Sequence, residues 1–168
     1  MSARVTIGEL NGMTPERLVE ALGGIYEHSP WVAERAAAGR PYASRQELHA
    51  AMERTVRESG EQAVLTLLRQ HPDLGARLAM SEHSVAEQQG AGLDRLSPEE
   101  FETFSALNRQ YVERFGFPFI LAVKGKDKDG ILQALRERTL REREAELEQA
   151  LREIGRITGF RLADLIDG

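Results

Sequence analysis

The chain is 168 residues long, 41% hydrophobic and 29% charged, with 27 acidic side chains against 22 basic ones and a net charge of −5. A chain near this length buries roughly 70% of the surface its unfolded state exposes, enough for one domain with a core of its own; the negative balance gives no general attraction to a nucleic-acid backbone. With no cysteine, disulfides, thiolate nucleophiles and Cys-ligated metal centres are excluded, and any chemistry rests on oxygen and nitrogen side chains.

No apolar run approaches the roughly 18 residues a membrane span needs, and the start MSARVTIGEL lacks the apolar segment of a signal peptide. The expectation is a cytoplasmic protein with no membrane partner. In chain order, Thr14-Pro15-Glu16 opens the first predicted helix, because Thr caps free amides, Pro tolerates the first helical position and Glu suits the positive end of the dipole. Leu18, Ala21 and Leu22 share one face. Gly23-Gly24 should interrupt this helix and Ser29-Pro30 is a second stop before Trp31, so a short, broken element is expected. Arg40 to Ala43 is a connection. Ser44 and Glu47 then have capping-box spacing, and Leu48, Ala51, Met52, Thr55 and Val56 recur at helical intervals up to the break at Ser59-Gly60. From Glu61 the next amphipathic run carries Val64, Leu65, Leu67 and Leu68.

Ser97-Pro98-Glu99-Glu100 is the clearest helix start in the chain. Phe101, Phe104, Leu107, Tyr111 and Phe115 follow on one broad stripe, which reads as core rather than as an aromatic binding box. Phe117 to Val123 is the one apolar run of strand length, and Pro118 counts against a central strand there. KGKDKDG, ending at Gly130, is a loop. From Ile131 a single long helix is expected to about Ile157, with Leu147, Leu151 and Ile154 on a buried face. Its RERTLREREAELE run places Glu137 before Arg141 and Arg138 before Glu142 at i and i+4, the pattern of a solvated helix surface. No internal repeat or long linker divides the chain. The fold class is therefore all-α, a single compact helical domain over residues 1–168.

Few residues could carry chemistry. His71 ends an amphipathic helix and precedes Pro72, which disfavours helical angles for the residue before it. An imidazole at such a bend can enter a cleft and transfer protons near neutral pH; it can equally cap the carbonyls of the preceding helix, and spacing alone favours the capping role. Ser84 and Glu87 are spaced as a capping box opening a short helix that Gly90-Ala91-Gly92 ends. The functional alternative has the Glu87 carboxylate orienting a histidine and the Gln88 amide meeting a polar ligand. His83 and Glu87, four apart, lack a second ligand pair, so no metal site is expected. Arg161 is either a surface residue or a guanidinium aimed at a carboxylate or urea-like group, and spacing leaves both open. No GxGxxG, Walker loop, GxSxG elbow or HExxH occurs.

The ordered segments GGIYEHSPWVAERAA, RPYAS, HPDLG, EQQGAGLDRLSPEEF, LNRQYVERFGFPFI and EIGRITGFRLADLI resemble the 2-oxo-4-hydroxy-4-carboxy-5-ureidoimidazoline (OHCU) decarboxylase family from about residue 7 to 166. The resemblance implies an all-α fold, no metal or organic cofactor, a homodimer, and a small-molecule substrate, OHCU, converted stereoselectively to (S)-allantoin with loss of carbon dioxide. The family's catalytic histidine falls on His71 and its partner carboxylate on Glu87. Pro72, Ser84 and Gln88 match substrate-contacting motifs, Arg161 matches the family's C-terminal arginine, and Ile120, Leu121, Ala122, Val123 and Lys124 match a backbone stretch that borders the ligand. The segment between HPDLG and EQ is shorter than is usual in the family. The final Leu-Ile-Asp-Gly differs from a peroxisomal Ser-Lys-Leu signal, which fits a cytosolic member. Two other classes stay open: an enzyme of the same fold acting on another ureido or carboxylate compound, and a non-catalytic helical binding module. Retention of His71, Glu87 and Arg161 argues against the module.

Overall fold

The computed structural model describes residues 4–71, 98–122 and 126–167, with the side chain of Phe101 outside that description. Among these residues the chain is built of eight helices and one pair of two-residue strands, which bears out the all-α expectation. They group into two compact units, one comprising residues up to Gln70 together with those from Gly155 onward, the other His71–Ile154.

In the first unit β1 (Val5–Thr6) runs parallel to β2 (Ile166–Asp167), pairing Val5 with Ile166 and Thr6 with Asp167. Helix α1 (Ile7–Asn11), which the sequence reading missed, starts at a capping box in which Thr6 accepts from the Glu9 amide and Glu9 accepts from the Thr6 amide. Helix α2 (Pro15–Leu22) begins where expected, Thr14 accepting from the Arg17 amide, and closes at Gly23. Helix α3 (Trp31–Ala38) follows the Pro30 stop. Ser44 caps α4 (Arg45–Glu58), but the Glu47 carboxylate takes the Ala43 amide, so the box is displaced by one residue. Gly60, at φ +97°, makes the left-handed step between α4 and α5 (Glu61–Gln70), a conformation that costs a side chain more than it costs glycine. Leu18, Leu22, Ile25, Val32, Leu48, Met52, Leu68 and Leu162 form the buried interior, each stabilising the unit by about 1.5–3 kcal/mol relative to exposure.

The second unit contains α6 (Pro98–Phe115), α7 (Lys128–Thr139) and the first half of α8 (Arg143–Leu165). Phe104, Tyr111 and Phe115 are buried as the stripe predicts, and Leu107 is half-buried. The chain leaves α6 through Gly116 at φ +79° into a buried, non-helical stretch, Phe117 to Ala122, which forms no strand. Tyr111 meets Phe115, Phe117 and Phe119 with ring centroids 4.6, 6.1 and 5.2 Å apart, a tilted and edge-on packing that suits aromatic quadrupoles.

The single helix expected from Ile131 to Ile157 is instead two, α7 and α8, with the second running on to Leu165. Leu140 and Arg141 donate to the carbonyls of Glu137 and Arg138, closing α7 with tight turns. The reason lies in Arg138 and Glu146, which are both buried and paired. Eight residues apart in one continuous helix they would stand roughly 12 Å apart along the axis; only a break between them lets the charges touch. The solvated-surface reading of this run is corrected at the same two positions.

Candidate active site

Of the residues singled out by sequence, Pro72, His83, Ser84, Glu87, Gln88, Val123 and Lys124 lie outside the described residues. His71 follows Gln70 directly, beyond the end of α5, half-buried and no longer helical. The helix therefore stops before His71, as the sequence predicts. Ile120, Leu121 and Ala122 are buried.

Arg161 is not a surface residue. Its side chain, 2% exposed, places Nη2 3.2 Å from Glu27 Oε1, and Nη1 donates to the Ile25 carbonyl at 2.9 Å. The connection between α2 and α3 is shaped to supply those partners. His28 takes the left-handed conformation at φ 51°, uncommon for a side-chain-bearing residue, while the Ser29 amide donates to the Tyr26 carbonyl and the Ser29 hydroxyl to the Glu27 carbonyl, both at 3.1 Å. Within EHSPW, then, Glu27 is a buried partner of Arg161 that sequence reasoning missed; its place in that motif, three residues before Pro30, was the available signal.

The same unit holds a second array that was not foreseen. His49 Nδ1 lies 3.2 Å from Glu53 Oε1, one turn along α4, and His49 Nε2 lies 3.0 Å from Thr158 Oγ1 on α8. Thr158 in turn donates to the Gly155 carbonyl at 3.2 Å and approaches the Tyr26 hydroxyl at 3.4 Å. Glycines make room for the array: a Cβ on Gly159 would stand 3.2 Å from His49 Cε1, and one on Gly155 3.1 Å from Glu53 Oε2. Burial lowers the His49 pKa from its ordinary 6.5, with the Glu53 carboxylate opposing. Burial likewise drives the Tyr26 phenol up, against the Thr158 hydrogen bond.

In the second unit two charged side chains grip the stretch after Phe119. Arg138 donates from Nη1 to the Ile120 carbonyl at 2.6 Å and from Nε to Glu146, with its guanidinium 4.6 Å from the Phe119 ring centroid. Glu146 also accepts from the Tyr111 hydroxyl at 2.6 Å. Burial first, and then the hydrogen bond to Glu146, pushes that phenol's pKa far up. Glu153 accepts from the Ala122 amide at 3.0 Å and from Gln149 at 2.8 Å. Arg138, Glu146 and Glu153 were not foreseen, because their charge pattern matches that of an exposed helix.

Among the described residues no group of three or more His, Asp or Glu side chains is arranged to hold a metal ion, and no helix is long and apolar enough to cross a membrane. The chain is thus, by fold and side chains, a helical protein equipped with a half-buried imidazole, buried guanidinium–carboxylate pairs and an anchored backbone stretch, groups suited to acid–base chemistry and to recognition of polar, anionic ligands.

Comparison with known proteins narrows that class. Residues 11–163 match the model of the family described as OHCU decarboxylase. The chain is 46% identical over 160 residues to the 2-oxo-4-hydroxy-4-carboxy-5-ureidoimidazoline decarboxylase of Haloferax volcanii, covering 95% of both. It is 52% identical over 161 residues to the uric acid degradation bifunctional protein PucL of Bacillus subtilis, covering 96% of this chain but only 33% of that protein, so it spans about a third of that relative's length. A crystal structure of (S)-allantoin synthase superposes with a TM-score of 0.78 at 34% identity, over 97% of this chain and 55% of that one. The chain belongs to the OHCU decarboxylase family.

Proposed function

We propose that the protein is a carboxy-lyase of urate degradation that removes carbon dioxide from OHCU and forms (S)-allantoin. The observation that carries this reading is the 46% identity to the Haloferax volcanii decarboxylase across 95% of both chains.

In OHCU the departing carboxylate sits on a hydroxyl-bearing carbon beside a C=N bond. The electron pair left behind delocalises into that bond, so the reaction needs no external electron sink and the reading is cofactor-free. The protein's work is to bind the polar ring and ureido arm, to favour the planar intermediate over the ground state, and to deliver one proton to one face. His71 is the proton-transfer residue, and Glu87 orients it. Arg161 and Gln88 bind polar groups of the substrate, Pro72 and Ser84 contact it, and the backbone from Ile120 to Lys124 borders it. The burial of Arg161 against Glu27 and the Ile25 carbonyl supports a directed guanidinium rather than a solvated one, and the half-buried, non-helical position of His71 just beyond α5 suits an imidazole that enters a cleft. A single domain, assembly as a homodimer and residence in the cytoplasm belong to the same reading.

The test is to generate OHCU from urate in situ and follow the optical activity of the allantoin formed. Dextrorotatory allantoin is expected to appear faster with the protein, and EDTA to leave the rate unchanged. Equal rates with heat-killed protein would refute the decarboxylase assignment; inhibition by EDTA that added metal reverses would refute its cofactor-free form.

A further inference from the structure

We infer that Arg138 and Glu153 are positioning residues that aim the backbone N–H and C=O of Leu121 at the substrate. The inference rests on the proposed function for the claim that this stretch borders a ligand; the two anchors themselves are not part of that claim.

A trans peptide unit is planar, and its C=O and N–H point in opposite directions. The unit joining Ile120 to Leu121 is held by its carbonyl, which takes the Arg138 Nη1 hydrogen bond at 2.6 Å. The Leu121 N–H on that unit therefore points away from Arg138. The next unit, joining Leu121 to Ala122, is held by its amide, which donates to Glu153 at 3.0 Å. The Leu121 C=O therefore points away from Glu153. Two anchors of opposite charge, on two helices, fix the plane and the polarity of both peptide units of a single residue.

Leu121 is 8% exposed, and among the described residues neither its N–H nor its C=O has a hydrogen-bond partner. Buried backbone groups left unpaired are rare and costly. One donor and one acceptor on a single residue complement a urea or amide edge, and the N–H alone complements a carboxylate or a developing oxyanion. The anchors also strengthen both groups. A cation on the carbonyl of a peptide unit makes its N–H a better donor, and an anion on the amide makes its C=O a better acceptor, since hydrogen bonds in a chain polarise one another.

The anchors are themselves braced. Arg138 is paired with Glu146, whose side chain has no exposed surface and also holds the Tyr111 hydroxyl. The second oxygen of Glu153 is occupied by Gln149. Burying such charges costs more than burying neutral hydrogen-bonding groups. In return, charge-assisted hydrogen bonds are roughly twice as strong as neutral ones, which is what holding a short non-helical stretch in one orientation requires.

The experiment compares Glu153→Met, which matches the side chain's size but accepts no hydrogen bond, with Glu153→Gln, which keeps an acceptor for the Ala122 amide. Turnover of OHCU made in situ from urate is measured together with KM and the enantiomeric excess of the allantoin. Glu153→Met is expected to lose about tenfold or more in kcat/KM, to raise KM, and to yield allantoin of lower enantiomeric excess, because a loosely held intermediate is protonated on either face. Glu153→Gln is expected to recover most of the loss. A folded Glu153→Met with wild-type KM and enantiomeric excess overturns the inference, as does a Gln variant as impaired as the Met variant. Should Glu153→Met fail to fold, amide-resolved spectra of wild type and Glu153→Gln titrated with (S)-allantoin decide: the Leu121 amide resonance must shift in both, and an unmoved resonance overturns the inference. Wild-type protein without decarboxylase activity would instead overturn the proposed function.

Discussion

Arg161 and Arg138 both bury a guanidinium against a carboxylate, one in each compact unit, but they connect different kinds of structure. Arg161 meets the Ile25 carbonyl and Glu27, both on the short connection between α2 and α3. Arg138 takes the Ile120 carbonyl from the non-helical stretch and Glu146 from α8, while Glu146 holds Tyr111 of α6. The first is a clamp on one loop; the second is a hub joining several elements of its unit. A buried pair is at best a modest net stabiliser, yet losing one partner strands a charge, so the hub should be the more sensitive of the two to loss of its carboxylate. Losing Glu146 strips the Tyr111 hydroxyl of its acceptor as well as Arg138 of its carboxylate.

The largest effect is expected at His71. His71→Asn should lower kcat by roughly 10²–10⁴-fold and leave the urea midpoint almost unchanged. Near-normal turnover in a variant that melts several degrees lower would make His71 a helix cap and remove its proposed part in proton transfer.

The hub comes next. Glu146→Met should cost about 3–5 kcal/mol of unfolding free energy, because Arg138 is left charged, buried and without its carboxylate. The double variant Arg138→Met/Glu146→Met should recover most of that loss in urea denaturation, since an apolar pair of similar volume carries no desolvation penalty. A double variant as unstable as the single one would show that the packing around Tyr111 and Phe119, rather than the charge pair, sustains the hub.

For the clamp, Arg161→Lys should reduce kcat/KM by about tenfold, the worth of one charged hydrogen bond, because an ammonium keeps the charge beside Glu27 but not the planar fork. Steady-state kinetics on a reference matched for folding provides the check. A kcat/KM within about twofold of wild type would make Arg161 purely a loop clamp and remove the functional half of the contrast with Arg138.

The smallest effect concerns the other array of the first unit. Burial lowers the folded-state pKa of His49 below 6.5, so the unfolded chain takes up the proton first as the pH falls. The stability this histidine contributes is therefore present above its unfolded pKa and lost as the pH drops through the lower folded value. Urea midpoints measured from neutral to mildly acidic pH should fall less steeply in His49→Gln. Parallel curves for the two proteins would mean that the Glu53 carboxylate, which faces the ring at 3.2 Å, cancels the effect of burial.

Sequence alone placed several element boundaries because those boundaries are local events. Thr14, Ser44 and Gly60 act on amides and dihedral angles within a few residues of themselves, and the aromatic spacing of α6 already implied its buried face. The resemblance added the family, and with it the proposed roles of His71, for which spacing alone favoured a helix cap, and of Arg161, for which spacing left a surface position open.

The tertiary structure decided what depended on distant partners. Val5 pairs with Ile166 across nearly the whole chain, and no local pattern announces such a strand. The i, i+4 charges of RERTLREREAELE satisfy the rule for an exposed helix, yet Arg138 and Glu146 turn inward and the helix breaks between them. Glu153, equally unremarkable in sequence, ends on the amide of Ala122. The physical reason is the same in each case. A cap or a glycine turn is stabilised by atoms its own neighbours supply, whereas a buried charge is tolerated only when the fold brings an opposite charge or a peptide dipole to meet it, and the sequence around the charge carries no record of that partner.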